Sequence, residues 1–211
     1  CIEFLKEADV IVTNPPFSLF REYVKQLMDY EKKFLIIGNG NAITFKEIFP
    51  LIRDNKIWLG VTMTGCQQSV FIVPTTHVDT NTKFRDCDGK SQYSTIINTA
   101  AWFTNIDHKR RHEPLDMYKK YTIKEYPKYD NYDAINVDKV SDIPIDYNGV
   151  MGVPISFLGK YCPKQFEIVA FRKGEDGKDL VFTRKEEIEF NNSLKKKRPY
   201  FRILVRRRFQ G

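Results

Sequence analysis

Two adjacent prolines, Pro15 and Pro16, follow the β-branched run DVIVT at 9–13 and constrain the chain on both sides of them. Neither can donate a ladder hydrogen bond, so a strand over 9–13 must end before Pro15. Beyond them Ser18 is a good N-cap, and Leu19, Phe20, Tyr23, Val24, Leu27 and Met28 recur at helical spacing to about Lys32. The apolar run FLIIG at 34–38, closed by glycine, predicts a strand buried on both faces of a parallel sheet. Strand, helix and strand in immediate succession point to an α/β sheet covered by helices.

Further along, Thr44 and Glu47 have the spacing of a capping box for a short helix that Pro50 interrupts or restarts. Strands are expected at 56–61 and 69–73, a polar loop at 74–92 and a long strand at 95–106. The stretch 107–150 has poor periodicity and many tyrosines (Tyr118, Tyr121, Tyr126, Tyr129, Tyr132 and Tyr147). With Pro127 and Pro144 as breakers, it is expected to be an irregular connector. In 151–211, apolar runs at 166–172 and 179–183 flank a Gly174-Glu175-Asp176-Gly177 turn, a hairpin pattern, and 200–208 closes the chain as a strand. The expected division is therefore 1–106, 107–150 and 151–211.

Composition narrows the classes. Of 211 residues, 42% are apolar and 29% charged, enough for one large domain or two small ones. No apolar stretch approaches the roughly 18 to 20 residues of a membrane-spanning helix, so no membrane partner is expected. The opening CIEFLKEAD lacks a basic leader and an apolar core, so no secretory signal is expected there. Cys1, Cys66, Cys87 and Cys162 lie far apart with no CxxC pair, which favours a reducing cytoplasm over a disulfide framework or a zinc site. His108 and His112 are spaced i, i+4 in HKRRH, but no glutamate joins them and three cations lie between them, so no metal is expected there. There is no GxSxG elbow and no paired Cys and His for nucleophilic catalysis. Gly38-Asn39-Gly40 is weak as a nucleotide loop and stronger as a strand-ending turn.

The tetrapeptide Asn14-Pro15-Pro16-Phe17 stands apart, because it falls at the carboxyl end of a predicted parallel strand, where open α/β sheets place their sites. Such a tetrapeptide arises by chance in roughly one chain in several hundred. Its chemistry suits methyl transfer to an exocyclic amine. The lone pair of adenine N6 is delocalised into the ring and is a poor nucleophile. Acceptance of one N–H each by the Asn14 side-chain oxygen and the Pro15 carbonyl would draw that nitrogen towards tetrahedral geometry. Phe17 offers a ring on which an extruded base can stack. In-line displacement of this kind needs no covalent intermediate, which agrees with the missing nucleophile.

VTNPPF resembles the amino-methyltransferase signature of S-adenosylmethionine-dependent N6-adenine and N4-cytosine DNA methyltransferases. Together with it, KKFLIIGNGNAITFKEIFPLI, NKIWLG, AWFTNIDHKRR, YPKYDNYDAINV, DIPIDYNGVMGVPISFLGKYCPKQFEIV and RILVRR resemble the EcoRI-like adenine-specific DNA methyltransferase family over nearly the whole chain. The resemblance implies that Asn14 and Pro15 hold the target amine, Pro16 shapes the turn and Phe17 stacks on the flipped adenine. It implies S-adenosyl-L-methionine as cofactor, duplex DNA as substrate, and a restriction–modification setting whose cognate endonuclease need not touch this chain. It also implies a partial Rossmann-like methyltransferase sheet, its C-terminal strands, followed by a β-rich basic segment. In the family's motif order the Gly-rich cofactor loop precedes NPPF, and only thirteen residues precede Asn14 here. The chain is thus expected to lack the main cofactor loop, to keep Asn14 near the transferred methyl, and to bind cofactor weakly on its own. Similar motifs serve rRNA guanine-N2 and protein glutamine methyltransferases, and a non-catalytic DNA-binding remnant is a further alternative.

The net charge of +7 is uneven: 151–211 carry 15 Lys and Arg against 7 Asp and Glu, and 1–150 carry 19 against 20. A basic module of this kind is expected of a polyanion binder, the plain alternative being a solvated tail. In the closing strand Arg202, Leu204, Arg206 and Arg208 alternate with Phe201, Ile203 and Val205, which would align three guanidinium groups over about 20 Å. With Lys195, Lys196, Lys197 and Arg198 upstream, this segment is expected to bind duplex DNA without sequence preference and with strong salt dependence.

Overall fold

The run after Asp9 does form a strand, and it opens the first of two units into which the chain divides. One comprises Cys1–Phe45 and Ile57–Ile106, the other Lys46–Lys56 and Asp107–Gly211. The computed structural model describes residues 2–64, 69–80, 82–87, 89–97, 99–188 and 191–208.

In the first unit a short helix α1 (Ile2–Glu7) leads into β1 (Val10–Thr13), a 3-10 turn over Phe17–Leu19, α2 (Phe20–Asp29) and β2 (Lys33–Asn39). The β1 and β2 strands pair in parallel, from Val10 opposite Lys33 to Thr13 opposite Ile36. Helix α2 buries Phe20, Val24 and Leu27, one turn apart, and β2 buries Phe34, Ile36 and Gly38 on one face. Leu35 and Ile37 on the other face are only half-buried, so β2 is not the doubly buried strand its apolar run suggests. Ser18 is not the N-cap either. It lies inside the 3-10 turn, and α2 starts after Leu19 with no side-chain cap. The helix ends on Glu31 at φ 52, with Glu31 N–H donating to Met28 O and Lys32 N–H to Leu27 O, the left-handed closure that usually recruits glycine.

After β2 the chain makes a 3-10 turn over Gly40–Thr44 and then enters α3 (Phe49–Arg53) of the second unit. The capping box does not form, because Thr44 Oγ1 donates to Asn41 O, 2.8 Å away, within the earlier turn. Pro50 instead sits in the first turn of α3, where its missing N–H costs nothing. The first unit resumes with β3 (Trp58–Thr64), β4 (Ser69–Ile72), β5 (Lys83–Cys87), β6 (Lys90–Ile97) and β7 (Ala100–Thr104). Strands β4, β6 and β5 form a separate antiparallel sheet. The expected polar loop at 74–92 therefore contains β5 and the start of β6, joined through Gly89 at φ 74. The expected long strand at 95–106 is two strands in two sheets. The main sheet has the order β1-β2-β7-β3, with β7 antiparallel to both neighbours.

The second unit holds β8 (Ala134–Asn136), β9 (Val150–Pro154), β10 (Phe166–Phe171), β11 (Phe182–Ile188), β12 (Asn191–Lys197) and β13 (Arg202–Arg207). One sheet has the order β10-β13-β9-β8, and β11 and β12 form a hairpin of their own. In the middle of β13, Ile203, Leu204 and Val205 are all fully buried, so the sheet is covered on both faces there. Leu204 packs in a cluster with Tyr129, Ala134, Val150, Leu180 and Phe182. The tyrosine-rich 107–150 stretch is mostly irregular, as its poor periodicity suggests, and it packs against this sheet. It supplies β8 and buries Tyr126, whose hydroxyl donates to Asp142 O at 2.7 Å, and Tyr129, whose hydroxyl donates to Asn136 Oδ1 at 2.9 Å. Gly152 makes room for the Tyr129 ring, where a Cβ would overlap it. Among the described residues no helix is long and apolar enough to cross a membrane.

Candidate functional site

Asn14 follows the last residue of β1, at the carboxyl end of its parallel pairing with β2. The two prolines then divide the work of the turn. Pro15 is buried, and Pro16 is exposed in an extended conformation (φ −54, ψ 128), with its carbonyl accepting from Leu19 N–H at 3.0 Å. Asn14 is exposed, and none of the described residues hydrogen-bonds its side chain. Phe17 leaves 43% of its surface open. Directly after the turn, Phe20 is buried with its ring 4.9 Å from that of Phe103 and against Gly38, where a Cβ would strike it. The turn therefore presents a neutral amide and an aromatic ring to solvent from a base that is tightly held.

The neighbouring end of β2 is closed on itself. Asn39 Oδ1 accepts from Asn41 N–H at 2.9 Å and Gly40 N–H donates to Thr99 O at 2.5 Å, so Gly38-Asn39-Gly40 is a capped strand-ending turn. Among the described residues no group of three or more His, Cys, Asp and Glu is placed to hold a metal. His112 instead bonds Asp107 through Nε2 at 2.7 Å, and Arg111 donates to the same carboxylate at 3.2 Å. The His112 hydrogen bond is the main reason the Asp107 carboxyl lies below the ordinary range, and burial lowers the Arg111 guanidinium.

Among the described residues, the expected cations do not form one evenly exposed row. The side chains of Lys195 and Lys196, in β12, lie outside the description. Lys197 is half-buried and Arg198 exposed. Arg202 is drawn inward: Nε donates to Asn136 Oδ1 at 3.1 Å, Nη1 to Tyr200 O at 2.9 Å, and Nη2 lies 3.7 Å from Asp138. Leu204, on the same alternation, is core. Arg206 is exposed, across the ladder from Glu167. Arg208 is exposed while Nε donates to Phe166 O at 3.3 Å, and Arg207 donates to Ile145 O. Three residues outside the expected set line a cleft with Arg198 and Arg202, namely Arg172, Tyr200 and Phe201. The sequence signal for Tyr200 and Phe201 is the aromatic pair set between cations in RPYFR, at 198–202, and Arg172 has none of its own.

The family model for the adenine-specific methyltransferase EcoRI matches residues 1–208. The chain is 54% identical over 208 residues to the Type II methyltransferase M.EcoRI of Escherichia coli, across 97% of this chain and 59% of that protein. It is 36% identical over 217 residues to the Type II methyltransferase M.MgeORF184P of Mycoplasma genitalium, across 98% of this chain and 67% of that one. It is 34% identical over 218 residues to the Type II methyltransferase M.MpnI of Mycoplasma pneumoniae, across 98% and 66%. The chain thus spans between 59% and 67% of the length of these relatives. Comparison with solved structures finds no match.

Proposed function

The chain belongs to the family of EcoRI-type adenine-specific methyltransferases, and from that premise we propose that it carries the amine-holding turn and a DNA-contacting surface of a modification enzyme. The reaction is transfer of a methyl group from S-adenosylmethionine to N6 of adenine in duplex DNA, in the cytoplasm, as one half of a restriction–modification pair. The observation that carries this reading is the Asn14-Pro15-Pro16-Phe17 turn, with Asn14 and Phe17 exposed at the carboxyl end of β1, in a chain of this family. The β1-β2-β7-β3 sheet is read as the C-terminal strands of a Rossmann-like methyltransferase sheet, a reading supported by the parallel β1–α2–β2 unit, in which the turn joins β1 to α2.

The turn's residues have separable roles. The Asn14 side-chain oxygen accepts one N–H of the target amine and the Pro15 carbonyl accepts the other. Both acceptors are neutral, and the Pro15 carbonyl belongs to a buried proline whose backbone is set before the substrate arrives, so little reorganisation opposes reaction on that side. Drawing on both N–H bonds weakens delocalisation of the nitrogen lone pair into the ring and frees it for attack. Phe17 stacks on the base once it leaves the duplex and offsets part of the unstacking cost. Bound S-adenosylmethionine supplies an electrophilic methyl group on a sulfonium, and in this chain Asn14 is the residue assigned beside it. The two neutral acceptors fit an amine next to a sulfonium, since neither competes as a nucleophile. Residues 1–106 are assigned this chemistry and 151–211 the phosphate contacts.

Asn14→Ala is expected to lower methyl transfer by at least about 10² to 10³-fold, the range found when a preorganised hydrogen-bonding group is removed from a transition state. Binding of duplex DNA should be kept. The measurement is transfer of labelled methyl groups to duplex DNA beside a binding isotherm, with the gene-encoded enzyme in full. Transfer at the wild-type rate by Asn14→Ala would overturn the mechanism.

A further inference from the structure

A cleft of about 360 Å³ in the second unit is bordered by Arg172, Asp179, Arg198, Tyr200, Phe201 and Arg202. Arg172 sits at φ 50, a left-handed conformation that a long side chain adopts only when its surroundings impose it. Its N–H donates to Arg202 O at 2.9 Å and its carbonyl accepts from Leu180 N–H at 3.1 Å. Its guanidinium lies 4.6 Å from the centroid of the Phe201 ring and donates to Asp179 at 3.1 Å. Lys173 donates to the same carboxylate at 3.0 Å. Arg202 is held by Asn136 and by Tyr200 O, as described above.

Those contacts build a shelf and leave two groups for a ligand. The Tyr200 ring stacks on Phe201 with centroids 4.7 Å apart and planes 33° apart, yet 71% of Tyr200 remains exposed. Arg198 is exposed beside it. Three guanidinium groups against one carboxylate leave the lining at +2. A small cationic cleft with a rigid aromatic shelf selects a ligand that is planar in one part and anionic in another. A nucleotide meets both demands, with its base on Tyr200 and its phosphate at Arg198. A base paired inside a duplex has no free face to offer, so the base must be unpaired. We infer that this cleft binds one unpaired nucleotide of a DNA strand, as a second nucleotide site besides the Asn14–Phe17 turn.

The assignment rests on the DNA-binding reading above, and its test separates the two. Fluorescence anisotropy of the gene-encoded enzyme in full is measured with a labelled duplex carrying one extra unpaired thymidine and with the same duplex fully paired. The wild type is expected to prefer the first. Tyr200→Ala should cut the affinity for it by about 5- to 150-fold with little change for the paired duplex, and Tyr200→Phe should restore the preference. Arg198→Ala should weaken both and lower the salt slope by about one. Equal binding of the two duplexes by the wild type, or a preference that survives Tyr200→Ala but disappears in Phe17→Ala, would overturn the cleft assignment and leave DNA binding standing. Failure of the wild type to bind either duplex would overturn the DNA-binding reading itself, and the cleft with it.

Discussion

At the scale of single residues, the chemistry of this chain is most legible where backbone restrictions act locally. Pro15 and Pro16 stop β1 whatever surrounds them, so the position of Asn14 at a strand end follows from the sequence alone. Gly38 shows the opposite case, because its role depends on a ring eighteen residues earlier in the chain. A Cβ there would overlap Phe20, which is fully buried and packed against Phe103. Gly38→Ala is therefore expected to destabilise the first unit by about 1–3 kcal/mol, the usual cost of overpacking a closed core. Urea unfolding followed by fluorescence would measure it, and an unchanged midpoint would mean that Phe20 moves aside freely. Asp179 carries a pH dependence. Its carboxyl is held below the ordinary range first by the Lys173 hydrogen bond and then by Arg172. A depressed folded value means that its stabilising effect is complete above the unfolded value, roughly 3.9, and is lost as pH falls through the lower folded one. Since the side chain is 46% exposed, the effect should stay under about 1 kcal/mol. Asp179→Asn should narrow the stability difference between neutral and acid pH by that amount, as chemical unfolding at the two values would read it.

At the scale of elements, strand β13 separates pattern from context. Strict alternation places Arg202, Leu204, Arg206 and Arg208 on one face, which predicts a solvated cationic row. The structure breaks that row, because the sheet is covered on both faces at Ile203, Leu204 and Val205. Alternation states which side chains share a face. It does not state what covers the face, since that depends on segments distant in sequence such as Tyr129 and Phe182. In 107–150, which is mostly irregular, the absence of regular spacing left the partners of the tyrosines unread: Tyr126 and Tyr129 are buried through hydroxyl bonds to Asp142 and Asn136. Sequence pattern also hid β5, whose largely polar sequence suggests a loop although it pairs with β6 as a strand. The consequence for β13 can be measured. Leu204→Ala should cost about 2–5 kcal/mol, as a cavity in a closed core does, whereas Arg206→Ala should stay within about 0.5 kcal/mol. Comparable losses for both would mean that Arg206 belongs to the packing and not to a surface available to DNA.

At the scale of the whole molecule, the charge asymmetry survives a change of boundaries. The second unit gains 46–56 and 107–150 relative to the basic segment 151–211, and those additions carry 11 basic and 11 acidic residues. Its net charge therefore stays at +8 and that of the first unit at −1. Net charge sets the long-range attraction to a polyanion, but the salt dependence of binding counts only cations that displace counterions from phosphates. Arg202 is committed to Asn136 and Asp138, and Arg207 to Ile145, so they have less freedom to do so. Arg198 and Arg206 are exposed. If each neutralises one phosphate, replacing both with alanine should reduce the slope of log affinity against log salt by close to two, and by a similar amount on unrelated duplexes. Arg202→Ala should instead lower stability with a smaller change in slope, because it removes a partner from the Tyr129–Asn136 network. Titrations of one duplex at several salt concentrations distinguish the two outcomes. A slope unchanged in the double variant would shift the phosphate contacts away from these two arginines, and a slope that drops in Arg202→Ala alone would return them to the row that alternation predicts.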